Sequence, residues 1–206
     1  MKNVIETEKE LRELLGHPSK LVEKKVISYL DPHCSDFISK SPFLVISTSD
    51  GKGNCDVSPR GDVPGFVYTM NNNRLVIPER RGNKRLDTLT NIIANPYVGL
   101  LFIIPGLGET LRVNGKASLT TDVNILEKMV VQNSQPLVGI DVEVEECFIH
   151  CAKAFRRSGL WDSNTWPDPT TLPSAAKILL EHSKLENTSV EDIEQSLEEG
   201  YEKRLY

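Results

Sequence analysis

Several absences narrow this 206-residue chain before any motif is read. No apolar run approaches the ~18–20 residues that a helix needs to cross a bilayer. The opening MKNVIETEKELRELLG is charged and amphipathic rather than a signal peptide, so the expected location is cytoplasmic, away from membranes. The four cysteines (Cys34, Cys55, Cys147, Cys151) lack the spacing of a disulfide framework and read as reduced thiols. No excess of positive charge is present: the formal net charge is −5, which disfavours a nucleic-acid surface. A P-loop, a GxGxxG turn and a Gly-x-Ser-x-Gly elbow are all missing, which removes the anchors of NTPase, Rossmann dehydrogenase and serine hydrolase readings. No tandem repeat or low-complexity tract is visible. With 39% hydrophobic and 26% charged residues, the composition is that of one globular domain over residues 1–206.

Helical periodicity marks both ends. An N-terminal helix is expected at about residues 5–25, carried by Leu11, Leu14, Leu15 and Val22. Final helices are expected at about 173–204, where Ile193, Leu197, Tyr201 and Leu205 form a narrow stripe after the proline-containing connector Ser163–Pro173. The middle is strand-rich. Phe43–Thr48 turns through Ser49–Asn54 into Cys55–Pro59, and Gly65–Met70 pairs with Arg74–Pro78 across three asparagines. Leu86, Leu89, Ile92 and Ile93 predict a helix stopped by Asn95-Pro96, followed by a buried strand at Tyr97–Ile104. Leu111, Val113, Gly115, Ala117 and Leu119 alternate with polar residues as a half-exposed strand. Thr121-Asp122 caps a short helix, and Val138, Ile140, Val142 and Val144 supply a last strand, so the pattern suits a small antiparallel barrel.

The densest chemistry lies between a strand and a helix. Arg74, Arg80, Arg81, Lys84 and Arg85 fall within twelve residues against one acid, Glu79, in an acidic protein. Gly82 and Asn83 suit a turn, with Asn83 expected to cap the next helix, so cations and free backbone N–H groups would converge as in a phosphate site. The competing reading is a solvated helix start whose cations pair with Glu79 and Asp87. Farther on, Cys147, His150 and Cys151 take i, i+3 and i+4 positions that would converge on a helix face. They provide three metal ligands with no fourth and no CxxC pair, and no metal is assigned. The two cysteines also fit as small buried residues.

SPRGD at Ser58–Asp62, IPERRGNKR at Ile77–Arg85, NP at Asn95–Pro96, GETLRVNGKA at Gly108–Ala117 and CFIHCAKAFRRSGLWD at Cys147–Asp162 occur in one order. In that order they resemble the pyridoxamine 5′-phosphate oxidase-like family, the last motif resembling a bacterial subgroup. The resemblance implies a mainly β domain with flanking helices built on a six-stranded antiparallel split β-barrel. It also implies a homodimer with FMN in the cleft between subunits. Arg80, Asn83, Lys84 and Arg85 would hold the phosphate, joined by Arg60; Ser58 and Ile77 lie on strands expected at the ring. Thr110 and Arg112 occupy a strand where the family often places a Gln and an Arg, so Thr110 departs from the pattern. His150, Lys153 and Trp161 would lie near the partner subunit's flavin, with His150 and Lys153 on one side of a helix. Arg112 as an exposed barrel cation and Trp161 as a core residue are the plainer readings.

The function implied is an FMN-dependent oxidoreductase acting on a small substrate or electron donor. The alternatives are a non-catalytic flavin-binding or sensing protein, and a flavin-free split barrel holding haem or another partner. The vitamin substrate itself is not carried over. CDVSPRG stands where that enzyme has an aliphatic strand ending in Lys, and the last histidine is His182, with no C-terminal Arg-x-His pair.

Overall fold

The computed structural model describes residues 4–206. Helices α1 (Glu8–Leu15), α2 (Lys20–Lys24) and α3 (Pro32–Lys40) precede strands β1 (Phe43–Ser49), β2 (Cys55–Gly61), β3 (Tyr68–Asn71) and β4 (Arg74–Pro78). Then come α4 (Asp87–Ala94), β5 (Tyr97–Ile103), β6 (Thr110–Thr120), α5 (Val123–Leu126) and β7 (Gly139–His150). Helices α6 (Lys153–Ser158), α7 (Ala175–Ser183) and α8 (Val190–Lys203) complete the chain.

The strands form one antiparallel sheet in the order β2-β1-β5-β6-β7-β4-β3. It has seven strands, not six, and is not closed by backbone hydrogen bonds. The short edge strand β3 pairs, among the described residues, with β4 alone, from Tyr68↔Val76 to Asn71↔Arg74. The sheet nevertheless curls. Strands β2 and β4 are five spacings apart in hydrogen-bonded order, which in a flat sheet is about 24 Å. Yet Arg60 at the end of β2 lies 3.0 Å from Glu79, just beyond β4. Side chains, not a backbone ladder, bridge the split.

Alternation decides what the curled sheet encloses. Leu44 and Ile46 of β1, Leu100 and Phe102 of β5, Leu111 and Val113 of β6, and Ile140 and Val142 of β7 are 0–2% exposed. Burying each such large side chain is worth about 1.5–3 kcal/mol. Cys34 and Ile38 of α3, with Leu89 and Ile92 of α4, pack on the same core. Asp122 caps α5 by accepting from the Asn124 N–H, as expected. A register irregularity between Asn114 and Gly115 lets the long β6 follow both ends of β7.

The expected helix at 5–25 is two helices. Gly16 ends α1 at φ +77°, and Pro18 cannot donate a backbone hydrogen bond, so the chain restarts with α2 at Lys20. Leu11, Leu14, Leu15 and Val22 are 40–74% exposed, so the apolar face read in the sequence is not covered by the described residues. Helix α7 is capped by Ser174, α8 by a Ser189–Asp192 capping box.

Candidate functional site at the barrel seam

Asp56, Ser58 and Arg60 share one face of β2, opposite Thr48, Ile46 and Leu44 of β1. They carry polarity to the edge of the core, and α4 and the β4 end meet it. Thr88 of α4 donates through its hydroxyl to Asp56 Oδ2 (2.7 Å), as does Ser58 (3.0 Å), and Thr88 Oγ1 lies 3.2 Å from Ser58 Oγ. Arg60 faces Glu79, each side chain less than one-fifth exposed. Burial pushes the Glu79 carboxyl above the ordinary glutamate range despite the opposing pull of Arg60. Next to it, Arg80 Nε donates to Asp62 Oδ2 at 2.7 Å, with the Asp62 side chain only 1% exposed. The Tyr206 hydroxyl donates to the other Asp62 oxygen at 2.7 Å, and its ring lies 5.8 Å from the Arg80 guanidinium. Arg60 Nε and both terminal nitrogens of Arg80 are buried with no hydrogen-bond partner among the described residues.

Beyond this seam the chain turns outward. Arg81, Gly82, Asn83, Lys84 and Arg85 are all exposed. Asn83 does not cap α4. Its side-chain oxygen accepts from the Arg85 N–H at 3.0 Å, while Leu86 occupies the N-cap position without a side-chain hydrogen bond. Lys84 and Leu86 both sit at φ +63°. For residues with a Cβ this left-handed conformation costs roughly 1–2 kcal/mol each. Such outliers cluster at ligand sites, where the surroundings hold them. The competing reading is met in part: Arg85 pairs with Asp87 at 2.7 Å, and Glu79 is taken by Arg60. The Arg85–Asp87 pair is solvated and worth little. Lys84 forms no ion pair among the described residues.

The other expected site residues gather at the far end of β6 and β7. Thr110 faces His150 in register, and Arg112 faces Phe148, with its guanidinium 5.4 Å from that ring. Thr110 is buried; Arg112 and His150 are exposed. His150 and Lys153 do not share a helix face. Strand β7 stays paired with β6 as far as His150, and α6 starts only at Lys153. The same extension dissolves the Cys147, His150, Cys151 constellation: Cys147 is buried in the core and Cys151 is exposed. Trp161 is 37% exposed, stacks on Phe155 with centroids 5.6 Å apart, and donates from Nε1 to the Leu107 carbonyl at 2.9 Å. It packs α6 against the β5–β6 connection. Arg60 and Leu111 stand in one cross-strand row through Leu44 and Phe102, three spacings or about 14 Å apart. Among the described residues no hydrogen bond or ion pair joins the two groups.

Sequence reasoning missed the acids. Asp56 in β2 and Asp62 just past its end could have been matched with nearby cations, but the pairing is crossed, Arg60 with Glu79 and Arg80 with Asp62. Tyr206 carried no sequence signal for this seam. A cavity of about 380 Å³ opens beside Arg80, between α3, β3 and residues 128–131, with Lys128 and Tyr68 in its wall. No helix among the described residues is long and apolar enough to cross a membrane.

Comparison with solved structures finds HupZ of Group A Streptococcus, 18% identical, covering 58% of this chain and 92% of that one with a TM-score of 0.47. A Lactobacillus delbrueckii protein assigned provisionally as a pyridoxamine 5′-phosphate oxidase is 19% identical, covering 59% and 95% with a TM-score of 0.46. HutZ, the heme storage protein of Vibrio cholerae, is 14% identical, covering 56% and 89% with a TM-score of 0.38. Among curated proteins none matches. The family model described as pyridoxamine 5′-phosphate oxidase matches residues 30–151, more than half of the chain and every strand of the sheet. The chain therefore belongs to the pyridoxamine 5′-phosphate oxidase family.

Proposed function

We propose that this protein is an FMN-binding oxidoreductase acting on a small substrate, working as a cytoplasmic homodimer of single-domain subunits with the cofactor between them. The observation that carries the reading is the exposed turn at residues 81–86. It places Arg81, Lys84 and Arg85 at the uncapped start of α4, in a backbone with two left-handed residues. A terminal phosphate would receive the first free N–H groups of α4 together with those cations. Arg60 and Arg80 are already neutralised by Glu79 and Asp62, so Lys84 and Arg85 are the main phosphate ligands. The unpartnered nitrogens of Arg80 supply further donors behind them. FMN, when bound, supplies hydride exchange with the substrate.

The chain's own residues then position and shield. Ser58 and the backbone at Ile77 border the ring's polar edge. Thr110, Arg112, His150, Lys153 and Trp161, which lie apart from the turn within one chain, come from the second subunit. That division of labour supports a dimer.

The test is flavin titration. FMN should bind better than riboflavin, which lacks the phosphate, and better than FAD, whose extension would collide with the turn. Hydrogen bonds to charged groups are worth about 1.5–3 kcal/mol each, so Lys84→Ala with Arg85→Ala should weaken FMN by about 3–6 kcal/mol. Unchanged affinity would remove the phosphate from this turn. Anaerobic reduction by NADH or NADPH separates an oxidoreductase from a flavin-binding protein without turnover, and a purified protein carrying haem but no flavin would overturn the reading.

A further inference from the structure

Cys34 and Cys147 have no part in the proposed flavin site. Cys34 is in the first turn of α3, which Asp31 caps by accepting the Cys34 N–H at 2.7 Å. Cys147 is in β7, where its backbone exchanges hydrogen bonds with Ile27 at 2.7 and 3.0 Å. The two cysteines are 113 residues apart in sequence, yet Cys147 Sγ lies 3.3 Å from Cys34 Sγ, within donating distance. Cys147 is fully enclosed, while Cys34 keeps 9% of its surface. A second cavity, of about 240 Å³, has Cys34 and Cys147 in its lining together with Lys25, Asp31, His33, Phe37 and Phe148. A water molecule takes about 30 Å³ of liquid volume, so this space admits a small oxidant. Among the described residues no set of three or more His, Cys, Asp or Glu converges to hold a metal ion.

We propose that Cys34 and Cys147 are a reversible redox couple, a buried dithiol that a small peroxide entering this cavity converts to a disulfide joining α3 to β7. The roles differ. The Cys147 thiol donates to Cys34 and so favours the Cys34 thiolate, lowering its pKa against the opposing Asp31 carboxylate, while the Cys147 thiol itself is pushed up. The Cys34 sulfur attacks one peroxide oxygen and the O–O bond breaks. The departing oxygen takes a proton as water or an alcohol, leaving a sulfenic acid on Cys34. Cys147 sulfur then attacks Cys34 sulfur, the S–O bond breaks, and the hydroxyl leaves as water with the Cys147 proton. Two thiols and one peroxide thus give one disulfide, with sulfur oxidised by two electrons and the peroxide reduced by two. An approach of about 1.3 Å separates the present contact from an S–S bond. Thiols in reducing compartments form such bonds transiently, as sensors rather than staples.

The experiment uses reduced full-length protein exposed to graded hydrogen peroxide, alkylated under unfolding conditions and mapped by mass spectrometry. The expected product is the Cys34 peptide linked to the Cys147 peptide, reversed by dithiothreitol, with a higher unfolding temperature for the oxidised form. In a variant carrying Cys55→Ser and Cys151→Ser, alkylatable thiols should fall from two to none. In Cys147→Ser, a dimedone probe should label Cys34. Oxidation confined to Cys55 and Cys151, with Cys34 and Cys147 recovered as free thiols, would overturn the couple. None of these readouts depends on bound flavin, so failure here and failure of the flavin reading are separate results.

Discussion

Removing the Asp62 carboxylate tests the seam most directly. The Asp62 side chain is 1% exposed and accepts from both Arg80 Nε and the Tyr206 hydroxyl, each at 2.7 Å. In Asp62→Ala the Arg80 guanidinium, 15% exposed and already lacking partners for two nitrogens, loses its counter-charge. Breaking a buried ion pair from one side costs about 3–5 kcal/mol. The residual exposure of Arg80 puts this case near the lower end, about 3 kcal/mol. For a chain of this length each kcal/mol shifts Tm by about 2–4 °C, so a fall of about 6–12 °C is expected. Urea denaturation of Asp62→Ala, Arg80→Met and the double variant completes a cycle. The double variant should recover part of the loss, because the unpaired cation goes with the acid. A single-variant change within 0.5 kcal/mol, or additive effects in the cycle, would refute the claim that this pair closes the split. If FMN uses the free nitrogens of Arg80, flavin should raise the Tm of Asp62→Ala by more than that of the natural protein.

Gly115→Ala should cost at least 3 kcal/mol in the same denaturation assay. A Cβ there would fall 2.0 Å from the Glu143 carbonyl oxygen, so β7 backbone must move, whereas Gly51→Ala meets nothing within 4 Å and should be nearly neutral. Hydrogen bonding to Asp62 raises the Tyr206 pKa above the ordinary tyrosine value of about 10. The docked tail's contribution is therefore complete below that value and lost as pH rises through the raised one. Spectrophotometric titration should show a high-pH phenol that Tyr206→Phe removes; its persistence would place the tail elsewhere. In Trp166→Phe, Trp161 fluorescence should be quenched by saturating FMN, and an unchanged signal would return Trp161 to packing α6 alone.

What was legible in the sequence was mostly local. Strand spans followed from alternation, and α4 ended where Asn95-Pro96 said it would. The sheet order was not legible from spacing, because β4 pairs with β7 more than sixty residues away. The cationic turn was found, but Asn83 looked like a cap because nothing in Lys84 or Leu86 announces a left-handed backbone. Arg60 and Arg80 looked free for the same reason that the sheet order was hidden: their acids reach them only after the sheet curls. In CFIHC, helical spacing and strand alternation describe the same residues, and long pairing with β6 decides for the strand.

The place of β7 has a consequence for biosynthesis. It is the last strand to be made, yet it lies between β6 and β4, so the β3–β4 hairpin has no sheet to join until about residue 150 has emerged. At about 5–20 residues per second, the 72 residues from Pro78 to His150 leave that hairpin waiting for roughly 4–14 s. Throughout that interval Leu75, Val76 and Ile77, all 0% exposed in the finished protein, face solvent on a nascent chain. Ribosome-associated chaperones would meet the protein there, and slower translation between α4 and β7 would lengthen the exposure.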